Sequence, residues 1–167
     1  MQKIIVIFAI VLTIGACEKE RPRVEAEVGK PAPAFSLIDT DGNRVSLSDL
    51  KGRVTILEFW ATWCGPCQES VPELNVLEAK FGGSDVTVLG ISVDEEEDAS
   101  AIVREFAAKH KIGYPILIAD EGTKTAYGIM SIPVLFILDR GHVIKSRHVG
   151  YRPGMSKELI AEIEAML

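Results

Sequence analysis

Residues 54–67, VTILEFWATWCGPC, constrain this chain more than any other stretch. They open as an apolar, β-branched run with one carboxylate, Glu58, inside it, and they end in Cys64 and Cys67 separated by Gly65 and Pro66. Bounded by Gly52 on one side and Gly65-Pro66 on the other, the run predicts a central strand covered on both faces. Past Cys67, apolar residues at Val71, Leu74, Leu77 and Phe81 recur every three or four positions and predict a helix. Two thiols therefore stand where a buried strand passes into a helix N-terminus. Unpaired N–H groups and the helix dipole favour a thiolate there, which makes this the candidate active site.

The segment from Glu58 to Cys67, EFWATWCGPC, resembles the active site of the thioredoxin superfamily, with Glu58 standing where that family has a buried Asp. A bare C-x-x-C is shared with zinc ribbons and structural disulfides; the flanking Trp60 and Trp63, the Gly-Pro pair and the strand-to-helix setting make this match specific. The resemblance implies that Cys64 is the nucleophile and Cys67 the resolving thiol. Glu58 shares a strand face with Val54, Ile56 and Trp60, so burial is expected to raise its pKa towards neutrality and suit it to proton exchange with Cys67. Ile132-Pro133 resembles the family's cis-proline loop, which would set the backbone of Ile132 beside the cysteines to receive an extended substrate. Trp63, Gly65 and Pro66 would complete the receiving surface. The ResA subgroup carries a further glutamate three residues after the second cysteine. Here Ser70 holds that position, and Glu69 before it reads as a solvated helix residue.

The N-terminus predicts a separate segment. Met1-Gln2-Lys3 is basic and residues 4–14 are nearly all apolar. As a helix they would span roughly 16 Å, too short for a bilayer core of about 30 Å. Charge, length and the small residues that follow fit a signal peptide over residues 1–16. The sequence IGAC at 14–17 resembles a bacterial lipobox, which implies cleavage before Cys17, lipidation of that residue and anchoring on the periplasmic or extracytoplasmic side of a membrane. Residues 17–30 are charged and read as a flexible tether. With Cys17 lipidated, Cys64 and Cys67 are the only remaining pair. So short a loop stabilises little when closed, which points to exchange rather than stapling.

Residues 31–167 read as one domain. Residues 35–38 and 44–47 flank DTDGN and predict a β-hairpin. Together with a helical turn at 48–52, this opening resembles TlpA/ResA-type and peroxiredoxin-type domains. Strands are expected at 85–93, 114–119, 134–138 and 142–149, and helices at 101–110, 121–127 and 156–167. The acidic run at 94–98 reads as charge at a helix N-terminus rather than as a docking patch for a basic partner. Strands alternating with helices predict an α/β domain with a central mixed sheet, a thioredoxin-like fold carrying an N-terminal hairpin and an inserted helix and strand.

A net charge of −6 without any Lys/Arg cluster excludes a nucleic-acid partner on electrostatic grounds. Gln68 after Cys67 excludes haem attachment. His110, His142 and His148 show no ligand spacing, so no metal is expected, and no cofactor beyond the redox-active Cys64–Cys67 disulfide. The resemblance implies a monomeric thiol–disulfide oxidoreductase acting mainly as a reductant. Its substrates would be exported proteins with disulfides, in cytochrome c maturation or copper-site assembly for example, and its electrons would come from a membrane thiol carrier. Two other readings start from the same residues. A peroxiredoxin-like peroxidase would place a Thr two intervening residues before its Cys, whereas only Trp63 separates Thr62 from Cys64. A Sco-like copper carrier would use C-x-x-x-C and a distant His.

Overall fold

The computed structural model describes residues 26–83 and 85–167. Its centre is strand β3 (Val54–Trp60), in which all seven residues are buried. A strand so apolar can only be accommodated with cover on both faces. Parallel to it runs β4 (Val86–Ser92), and antiparallel on its other side runs β6 (Val134–Leu138). Beyond β4 lies β5 (Ile116–Ile118), then the hairpin of β1 (Ser36–Asp39) and β2 (Arg44–Ser46); beyond β6 lies β7 (Ile144–Val149). The sheet order is β2-β1-β5-β4-β3-β6-β7. It is the mixed α/β architecture expected from the sequence. The inserted strand β5 has a definite job, for it pairs parallel to β4 and antiparallel to β1 and so splices the N-terminal hairpin onto the central sheet.

Among the described residues, four α-helices cover this sheet: α1 (Gly65–Phe81), α2 (Ala99–His110), α3 (Glu121–Ala126) and α4 (Met155–Glu164). Alternation along β3 divides the core between them. Val54 and Ile56 pack with Leu74, Leu77 and Phe81 of α1 and with Met155, Leu159 and Ile163 of α4. Leu57 and Phe59 pack on the opposite side with Phe35, Leu37, Tyr127 and Phe136. Helix α4 begins at Gly154, which has no side chain to cap it. Glu73 of α1 supplies the cap across the gap, accepting from the Gly154 and Ser156 N–H groups at 2.7 and 3.0 Å. The Ser156 hydrogen bonds hold its carboxyl below the usual range. One residue thereby fastens the active-site helix to the last helix.

The expected boundaries of the tether need correction. Residues 1–25, including the signal-peptide and Cys17 positions, lie outside the described residues, but residues 26–30 belong to the folded body. Ala26 is buried and its N–H donates to the Ala126 carbonyl at 3.0 Å. The Gly29 N–H donates to the Ile144 carbonyl at 2.8 Å, and the Ile144 N–H to the Lys30 carbonyl at 2.9 Å. Strand β7 is an edge strand, and its unpaired backbone groups take up any adjacent chain whatever its side-chain charge. Composition therefore misjudged this stretch. Among the described residues, no helix is long and apolar enough to cross a membrane.

Candidate active site

Cys64 is the N-cap of α1. Its backbone is extended (φ −89°, ψ 107°) and its Sγ accepts the Cys67 N–H at 3.2 Å, the place an Asp or Ser oxygen usually takes. Gly65 and Pro66 form the exposed first turn, where a proline removes no N–H that the helix needs. Cys64 and Cys67 form a disulfide with their Cα atoms 5.2 Å apart. Cys67 is 1% exposed and Cys64 6%. Cys67 is the more deeply buried of the two, and Cys64 is itself nearly covered.

Glu58 is completely buried on the central strand, between Gly90 of β4 and Leu135 of β6. Burial raises its pKa from the ordinary 4.5 to about 7, against the opposing effect of a hydrogen bond with Ser70. Ser70 is itself fully buried, and its Oγ donates to the Cys67 carbonyl at 2.8 Å. One hydroxyl thus links the carboxyl to the turn that holds Cys67. Trp60 and Tyr114 close this pocket from solvent. The Trp60 Nε1 and Tyr114 OH are buried without hydrogen-bond partners among the described residues, and the Tyr114 hydroxyl is pushed well above its ordinary pKa by burial and by the charge of Glu58. Gly90 makes their packing possible: a Cβ there would stand 2.8 Å from Trp60 Nε1 and 3.2 Å from a Tyr114 ring carbon. Glu69 is exposed.

The Ile132–Pro133 peptide is cis. Ile132 packs against the cluster formed by Trp60, Cys64 and Cys67, so the proline loop lies beside the cysteines as expected. Trp63 is 66% exposed at the rim.

Two features of the site were missed by sequence reasoning. Asp94, read as part of the helix-end charge of the acidic run, is 3% exposed and anchors the loop that carries the cysteines. It accepts from the Thr62 hydroxyl at 2.6 Å, from the Thr62 N–H at 3.1 Å and from the Ser92 hydroxyl at 2.6 Å. The run does end at the N-terminus of α2, with Asp98 as the N-cap residue, but Asp98 makes no side-chain cap and no acid lies in the first turn. The signal was present in the topology: Asp94 follows β4 as Cys64 follows β3, and parallel neighbours end on the same side of a sheet. The Thr62 hydroxyl is committed to Asp94, away from the role a peroxidase would give it. Removing the anchor with Asp94→Ala is expected to cost about 2–3 kcal/mol, because it strands buried donors. It should also slow insulin-disulfide reduction; urea unfolding within 0.5 kcal/mol of the parent would show that the anchor is idle.

The second missed residue is Met130, 93% exposed just before the proline loop. Of the histidines, His148 meets Glu162 of α4 at 3.1 Å and lies close to Glu158, a grouping that the spacing in sequence concealed.

Residues 28–147 match the model of the AhpC/TSA family. The thioredoxin-like protein YneN of Bacillus subtilis is 36% identical over 130 residues, covering 78% of this chain and 76% of that one. Thiol-disulfide oxidoreductase ResA of Bacillus cereus is 33% identical over 126 residues, covering 74% and 70%. Among solved structures, a candidate thiol:disulfide interchange protein DsbE from Chlorobium tepidum superposes with a TM-score of 0.76 at 33% identity, over 84% of this chain and 97% of that one.

Proposed function

The chain belongs to the AhpC/TSA family and is a thiol–disulfide oxidoreductase with a thioredoxin-like fold; from that premise we propose that it is an exported, lipid-anchored reductant of disulfides in partner proteins. The observation that carries the mechanism is the pairing of an N-cap cysteine with a fully buried glutamate one hydroxyl away from its resolving partner. In the reduced protein the Cys64 thiolate is held by the Cys67 N–H and the dipole of α1. It attacks one sulfur of the partner disulfide; the other sulfur leaves as a thiolate and takes up a proton. Cys67 then passes its proton to Glu58 and attacks Cys64, releasing the second partner thiol and closing the Cys64–Cys67 bridge. Two electrons have moved to the partner. A membrane thiol carrier returns them by the reverse exchange.

Ile132, beside the cis-Pro133, and Trp63 receive the partner chain in this scheme, with Gly65 and Pro66 as the exposed floor. Extracytoplasmic placement rests on the signal-peptide and lipobox resemblance around Cys17. Cytochrome c maturation and copper-site assembly are the substrate settings that the ResA relationship favours. The test is capture in cells: Cys67→Ala should accumulate mixed disulfides through Cys64 with exported proteins that carry cysteine pairs. Capture confined to cytoplasmic proteins, or none beyond that of a double cysteine variant, would refute the proposal.

A further inference from the structure

A groove of about 790 Å³ opens beside Trp63. One wall comes from the loop after β4, with Glu95 and Glu96; another from α3, with Glu121 and Lys124; the third from the segment leading to Pro133, with Met130 and Ile132. Two of the largest exposed apolar side chains among the described residues, Trp63 and Met130, stand on it. The rim is unevenly charged. Lys124 is only 14% exposed, and its ammonium is already paired with Glu95 at 2.6 Å and with Glu121. Three carboxylates thus face one neutralised cation, and Glu96 makes no ion pair among the described residues. The acidic run read from the sequence as helix-end charge is, in the fold, part of a wall next to the reactive cysteine.

We propose that this groove selects basic partners: an extended segment with an apolar side chain against Trp63 and Met130 and a lysine or arginine set among Glu95, Glu96 and Glu121, next to the disulfide being reduced. The inference rests on the exchange reading of Cys64 and adds the substrate class. Complementary charge around an exposed site acts mainly on encounter and registration, so its effect should appear in kcat/KM and fade with salt. An acidic segment meets like charge at the same place.

The test uses the full reduced protein and three probes: two peptides with one identical disulfide and apolar neighbour, flanked by lysines in one and glutamates in the other, and neutral hydroxyethyl disulfide. The lysine peptide should be reduced about tenfold faster than the glutamate peptide at low salt, the ratio falling towards one near 0.5 M salt. The triple variant E95Q/E96Q/E121Q should bring the low-salt ratio close to one. A control with as many charges removed from the other end of the sheet and helices, D41N/D85N/E164Q, should keep most of it, which separates the groove from the net charge of the chain. Equal rates for the two peptides, a ratio indifferent to salt, or equal effects of the two triple variants would overturn the inference while hydroxyethyl disulfide is still reduced. Failure on all three probes would overturn the exchange reading itself. Dimerisation through this face that blocks both peptides would replace the peptide by a second copy of the chain.

Discussion

Cys64→Ser should reduce insulin disulfides no faster than buffer does, while its fold survives. Serine keeps the N-cap, since its hydroxyl can accept the Cys67 N–H as the sulfur does, so unfolding is expected to move little. What disappears is the nucleophile, because a hydroxyl does not ionise near neutrality and cannot form the mixed disulfide. The remaining Cys67 is 1% exposed and cannot reach a protein substrate in its place. Cys67→Ser should behave differently, with one equivalent of substrate held as a mixed disulfide and no turnover. Circular dichroism before the assay separates loss of chemistry from loss of fold. Turnover surviving in Cys64→Ser would move the active site elsewhere.

Glu58→Gln should trade activity for stability. The carboxyl is buried among apolar groups, and its pKa rises from the ordinary 4.5 to about 7. Between those values the native state binds a proton that the unfolded chain has released, so native stability falls as pH rises through the interval. At 1.36 kcal/mol for each pH unit, the wild-type protein should lose roughly 3 kcal/mol between pH 4.5 and pH 8. Glutamine carries no such proton, so the variant's stability should stay flat over that range. Its rate should suffer at pH 7 by about 100-fold or more, the usual contribution of a positioned base. Urea unfolding at pH 5 and 8, with a pH–rate profile, checks both halves. A variant that matches the wild type in rate across pH 6–8 would remove Glu58 from the proton path.

The residues that announce the chemistry lie next to one another in the chain, which is why they could be read. Strand β3, the turn at Gly65-Pro66 and the start of α1 form one continuous segment, and local periodicity with helix-end physics places both sulfurs correctly. Glu58 was legible because a lone carboxylate in so apolar a run has nowhere wet to go. Asp94 was not, because four neighbouring acids disguise it and its burial depends on β4 ending beside β3. Met130 and the charged groove were hidden for a related reason: Trp63, the loop with Glu95 and Glu96, and the stretch from Glu121 to Ile132 lie well apart in the chain and meet only in the fold. The backbone bonds of Ala26 to Ala126 and of Gly29 and Lys30 to the edge of β7 are invisible to any count of side-chain types.

That pairing also decides where the outside world can take hold of the domain. Ala26, the first of the described residues, is bonded to Ala126 at the C-terminal end of α3, and α3 is the short helix whose Lys124 and Thr125 stand in the substrate groove. Six residues of helix measure only about 9 Å. A leash fixed upstream of Ala26 would therefore pull beside the mouth of the enzyme rather than at its back. The reactive face would travel with its mooring.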